Sequence, residues 1–140
     1  MSFMDNQKLS EKIDYAKEWF GESILPEITE AISNNLKHNM WPLQEEAFKN
    51  FLFYEDVKEG SSNENRPNVE FVKKDEPTHL MFNMATGSGK TMLMAACILH
   101  YMHLGYRKFL FITNQTNILD KTEENLINKL HQKYLFDDQL

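Results

Sequence analysis

Apolar positions in the first third of the chain recur at helical spacing. Leu9, Ile13, Ala16 and Phe20 form one stripe, and Gly21 follows as a stop, which predicts an amphipathic helix. A second amphipathic stretch runs from Pro26 to Leu36. In the segment that begins at Trp41, Pro42 is suited to open a helix. Leu43, Ala47, Phe48 and Phe51 would then share an apolar face, with Gln44, Glu45 and Lys49 on the polar side. Trp41, Phe48, Phe51, Phe53 and Tyr54 read as core packing rather than a stacking platform. The pattern breaks between Glu55 and Pro77, where charge and loop formers dominate. That stretch reads as a long surface loop with a short strand at Val69–Val72.

Beyond the loop the rhythm changes. Thr78–Met84 is a short apolar run, consistent with a buried strand. Lys90–Leu104 is apolar at almost every position, the pattern of a helix buried against a sheet, and Gly105 ends it. Lys108–Thr113 reads as a second strand. A further helix is expected to turn Ile118, Leu119, Leu126, Ile127 and Leu130 inward. The order strand, loop, helix, strand, helix is the start of a parallel α/β sheet. Two strands do not complete one, so the chain is expected to stop within a domain.

Composition narrows the function classes. The 140 residues are one domain's worth, with 41% hydrophobic content, so a wholly disordered chain is excluded. Lys and Arg number 15 against 21 Asp and Glu, a net charge of −6, the opposite of the basic footprint of a self-sufficient nucleic-acid binder. Cys97 is a single cysteine, and no cysteine and histidine cluster at metal-ligand spacing accompanies it. With no apolar leader or membrane-length run, a cytoplasmic location is expected. His100 and His103 stand three apart on one helix without a nearby carboxylate, which favours a surface or interface role.

The segment MATGSGKT, residues 84–91, carries the chemistry. Glycines at 87 and 89 let the backbone turn sharply and aim its N–H groups at an anion, and a helix beginning near Lys90 adds its positive end. Lys90 is placed to reach the β- and γ-phosphates, and Thr91 offers a hydroxyl to Mg²⁺. The pattern GxxxxGK[ST] is not fully met, because Met84 stands where the first glycine would be. A bare glycine-rich turn before a lysine is often only a turn. Here the apolar run before it and the apolar helix after it are the context a phosphate loop requires.

With this loop, the segment WPLQEEA around Gln44 and the run GYRKFLFITNQTNILDKTEENL, the chain from Trp41 onward resembles the superfamily 2 (DEAD/DEAH-like) helicases and translocases. The nearest resemblance is to the motor (Res) subunit of type III restriction enzymes. That resemblance implies an α/β fold, a partial RecA-like P-loop domain with flanking helices, preceded by a helical segment. It divides the chain into residues 1–54, a charged loop at 55–77, and the first part of the ATPase domain at 78–140. It also implies ATP and Mg²⁺ as cofactors, with Thr86, Gly87, Ser88, Gly89, Lys90 and Thr91 holding the triphosphate and metal and Gln44 recognising adenine. Thr113, Asn114 and Asn117 would touch a nucleic-acid backbone, although Thr113-Asn114 stands where many relatives have Pro-Thr. Double-stranded DNA and a methyltransferase subunit are the implied partners.

The acidic pair, the coupling motif and the arginine fingers that such motors need for hydrolysis are not found in the sequence. Asp75-Glu76 precedes the loop and Asp137-Asp138 lacks the strand that would present it; both read as solvated charge. Two alternatives to the motor reading stay open on sequence alone. One is a truncated product that binds nucleotide or a partner without turnover, and the other is a different P-loop ATPase.

Overall fold

The computed structural model of the chain describes residues 7–60, 69, 71, 72 and 75–137. They fall into two compact units, one drawn from the described residues within 1–27 and 49–81, the other from those within 28–48 and 82–140.

In the first unit, α1 (Leu9–Phe20) follows the predicted stripe. The Lys8 backbone N–H donates to the Glu11 carboxylate, 3.1 Å, which satisfies one of the orphan groups at the helix start. At the other end the Gly21 N–H donates to the Lys17 carbonyl, 2.8 Å, and Gly21 turns the chain at φ +85°. Ile13 and Ala16 are buried with Ile24 and Phe53, and Leu9, Leu25, Val57, Val69 and Phe71 pack around them. Phe20 departs from the stripe. It sits on the last turn, exposed, where the chain reverses at Gly21.

The predicted helix from Pro26 to Leu36 shrinks to a single turn, α2 (Glu30–Ser33), preceded by a 3₁₀ turn at Glu22–Ile24. Local side chains explain the shortening. Ser33 Oγ donates to the carbonyls of Thr29 and Glu30, and Asn35 Nδ2 donates to Ala31 O at 2.6 Å. These bonds compete with the backbone ladder that would prolong the helix.

Helix α3 (Pro42–Glu59) begins at the proline as expected and runs through Glu59. Residues up to Phe48 belong to the second unit and those from Lys49 to the first. Phe48, Phe51, Leu52 and Phe53 are all buried, so α3 is apolar on more than the single face its stripe predicts. Trp41, just before it, is exposed and Tyr54 half-buried. The apolar-face assignment fails at the first turn, where Leu43 is exposed and Gln44 buried. The expected short strand at Val69–Val72 falls partly outside the described residues. Val72 N–H donates to Val69 O at 3.5 Å, the spacing of a turn.

In the second unit, α4 (Lys90–His103) buries Met92, Leu93, Ala95, Ala96 and Leu99. Gly105 ends it at φ +98°. His103 Nε2 lies 3.2 Å from the Ala31 carbonyl oxygen. Tyr134 and Phe136, further along the chain, are buried. An antiparallel bridge pairs Leu36 with Phe136, flanked by bonds from Lys37 N–H to Leu135 O, 2.8 Å, and from Asp137 N–H to Asn35 O, 2.9 Å.

The predicted strands at Thr78–Met84 and Lys108–Thr113 are not formed; among the described residues the single bridge is the whole of the β structure. A strand exists only where a neighbour accepts and donates its ladder bonds, and among the described residues neither segment has such a neighbour. Met81, Leu110 and Ile112 are accordingly exposed. The same lack bears on α5 (Thr116–Leu126), which stops short of the expected Ile127 and Leu130 and buries no residue. Ile118 and Leu119 on it, and Ile127 and Leu130 after it, face outward rather than inward. Among the described residues no helix is long and apolar enough to cross a membrane.

Candidate functional site

The loop between Met84 and α4 is shaped by two glycines. Gly87 lies at φ +83° and Gly89 at φ +77°, a region that costs a residue with a Cβ roughly 1–2 kcal/mol. Between these turns the Ala85 carbonyl becomes a hub. It accepts from Ser88 N–H at 3.3 Å, Ser88 Oγ at 2.7 Å and Lys90 Nζ at 3.2 Å. The ammonium of Lys90 is thereby curled back over its own loop. Thr86 and Gly87 are exposed, Ser88 and Gly89 half-buried.

Gly89 caps α4, its carbonyl accepting from Met92 N–H at 2.9 Å. The first N–H groups of a helix have no acceptor within it and carry the positive end of its dipole. Together with an ammonium held alongside, they form a place where anionic oxygen is favoured over water. Thr91, half-buried on this first turn, adds a hydroxyl.

Gln44 is 4% exposed and reaches the loop from the first turn of α3. It is the third helical residue, the position from which a Glu or Gln side chain turns back to the capping residue's N–H. Its Oε1 does so, accepting from Trp41 N–H at 2.9 Å. That leaves the amide nitrogen directed outward, where Nε2 donates to Ser88 O at 2.9 Å and approaches Gly89 O at 3.4 Å. The fit is close on the loop side. A Cβ at Gly89 would collide with Nε2, whereas one at Gly87 would meet nothing within 4 Å.

The structure thus brings Gln44 together with Ser88 and Gly89, and Lys90 with Ala85. Thr113, Asn114 and Asn117 lie at the start of α5, Thr113 half-buried and both asparagines exposed. The Thr113 hydroxyl accepts from Gln115 N–H at 3.4 Å. No hydrogen bond among the described residues joins these three to the loop. Nor do His100 and His103 gather further ligands; among the described residues no group of three or more His, Cys, Asp or Glu side chains is placed to hold an ion. Two participants escape a sequence reading, the Ala85 carbonyl and the Trp41 N–H. Both are backbone groups that any residue supplies. For Trp41, the proline followed two residues later by glutamine is the signal that marks the cap.

A model of the family described as type III restriction enzyme, res subunit, matches residues 37–139. The chain is similar to a probable type III restriction-modification enzyme, the HindVIP Res subunit of Haemophilus influenzae, with 47% identity over 113 residues. That match covers 81% of this chain and 21% of the relative, so the chain spans about a fifth of the relative's length. No solved structure matches.

Proposed function

Because this chain belongs to the family of type III restriction enzyme Res subunits, we propose that it is the ATP-binding portion of a DNA motor. The observation that carries the reading is the loop itself, two glycines at positive φ leading into α4 with the Lys90 ammonium folded over the turn. In this reading Thr86, Gly87, Ser88, Gly89, Lys90 and Thr91 cradle the triphosphate. A γ-phosphate oxygen is a stronger acceptor for Lys90 than the Ala85 carbonyl it bonds now, because the bond becomes charge-assisted at both ends. Swinging Nζ from carbonyl to phosphate is then the local response to binding.

Thr91 fits Mg²⁺ as a single oxygen donor on the first turn, since that ion usually takes few protein ligands and fills its shell with water and phosphate oxygens. When bound, the ion neutralises charge on the departing phosphoryl group. Gln44 is assigned to adenine, an amide that matches the donor and acceptor edge of the base. Thr113, Asn114 and Asn117 are assigned to the DNA backbone. Family membership supports a RecA-like P-loop fold, in which residues 78–84 and 108–113 become strands when further strands supply their ladder bonds. Duplex DNA, a methyltransferase subunit and a cytoplasmic setting complete the proposal.

Hydrolysis needs a residue that orients water toward the γ-phosphate, and in this reading neither Asp75-Glu76 nor Asp137-Asp138 takes that role. The 140-residue chain is therefore expected to show no DNA-stimulated ATP hydrolysis above its Lys90→Ala variant. Continued to the length of its relative, the same sequence is expected to turn over ATP in the presence of duplex DNA and to lose that turnover on Lys90→Ala. Stimulated turnover by the short chain, or turnover in the long one that survives Lys90→Ala, contradicts this division of labour.

A further inference from the structure

We propose that Gln44 is a positioning residue for the phosphate loop, one that aims the loop's N–H groups whether or not a base is present. The proposal rests on reading the loop as a phosphate site and goes beyond the assignment of Gln44 to adenine. Its basis is the geometry of one peptide unit. Ser88 C=O and Gly89 N–H belong to the same planar trans peptide, so they point in opposite directions. Gln44 Nε2 holds that carbonyl at 2.9 Å, which turns the Gly89 N–H to the side away from Gln44. The longer approach of Nε2 to Gly89 O, 3.4 Å, biases the next peptide, and with it the Lys90 N–H, in the same sense.

The brace falls where the chain has most need of one. Ser88 sits between two glycines at positive φ, the residues with the greatest backbone freedom. Without an external hold, the Ser88–Gly89 peptide is free to flip and carry its N–H out of the cradle. The anchor at the other end is firm, because Gln44 Oε1 is tied to Trp41 N–H, and Trp41 O accepts from Gln44 N–H at 2.8 Å and Glu45 N–H at 2.9 Å. Burial of the amide strengthens the link by excluding competing water. An amide has two N–H donors and two lone pairs, and the brace uses one of each at short range, so base reading and bracing are compatible in one side chain.

A ligand without a base separates the two roles. Mg²⁺ tripolyphosphate and Mg²⁺ ATP are titrated into the full chain, Gln44→Ala, Gln44→Glu and Lys90→Ala, and amide hydrogen exchange is followed over residues 85–92 alongside the global melting curve. The brace predicts that Gln44→Ala weakens both ligands by a similar factor, about threefold to tenfold, the scale of one lost hydrogen bond. Gln44→Glu weakens them at least as much, since a carboxylate oxygen then faces two carbonyl oxygens. Exchange at Ser88 and Met92, whose N–H groups donate to the Ala85 and Gly89 carbonyls, speeds up in Gln44→Ala by more than the change in melting accounts for. Tripolyphosphate binding unchanged by Gln44→Ala, with only the preference for ATP over GTP lost, overturns the brace and leaves a base reader. If the unaltered chain binds tripolyphosphate no better than Lys90→Ala, the phosphate-site reading fails instead. The exchange data still decide the brace in that case, and unchanged protection in Gln44→Ala overturns it.

Discussion

Gly89 meets two demands that no other residue type satisfies together. Its backbone is at φ +77°, and the space where a Cβ would stand is filled by the Gln44 amide. Gly87 meets only the first, with φ +83° and open space beside it. Gly87→Ala is therefore expected to cost about 1–2 kcal/mol of stability, the left-handed penalty alone. Gly89→Ala adds to that penalty a displaced Gln44 and a broken bond to Ser88, and is expected to cost at least about 1 kcal/mol more. Chemical denaturation of both variants measures the difference, and equal losses would contradict the contact. The residues of this site were legible in the sequence as a glycine and lysine loop. Gln44 was legible as a candidate, but the periodicity assigned it to a polar face, and it is instead buried while Leu43 is exposed. Periodicity registers only apolar character, whereas the capping geometry at Trp41 and the carbonyl of Ser88 make burial of an amide favourable.

Among the elements, α1, α3 and α4 follow the spacing of their apolar residues, because each has a partner to bury them. The stripe on α3 understates what happens there. Phe51, Leu52 and Phe53 are consecutive and all buried, which a single-face pattern does not anticipate. Phe53, wholly buried against Ile13, Ala16 and Ile24, is expected to cost about 3–5 kcal/mol when changed to alanine. Trp19, 70% exposed on α1, should cost less than about 0.5 kcal/mol. Unfolding midpoints of the two variants test the contrast, which fails if the exposed tryptophan proves the more costly. The runs at 78–84 and 108–113 show the converse case. Their apolar character was legible, but strand formation is a property of pairs, and no pattern within one segment supplies the neighbour. Helix α5 illustrates the same limit, since its amphipathic face is present and its cover is not.

For the molecule as a whole, the recognisable part is the stretch from Trp41 onward, and the family match over residues 37–139 coincides with it. The resemblance is carried by few residues, chiefly the glycine and lysine loop and the glutamine upstream of it. Those are the residues that the second unit draws together, while α1 lies before the matched region. In the proposed function this loop holds a nucleoside triphosphate through Lys90 and the start of α4. Calorimetric titration of Mg²⁺ ATP into the chain and its Lys90→Ala variant tests it most directly, with circular dichroism to show that both are folded alike. Saturable one-to-one binding by the unaltered chain is expected, weakened at least about tenfold when the ammonium is removed, the loss of a charge-assisted contact. Equal binding by two equally folded proteins, or none by either, would contradict it.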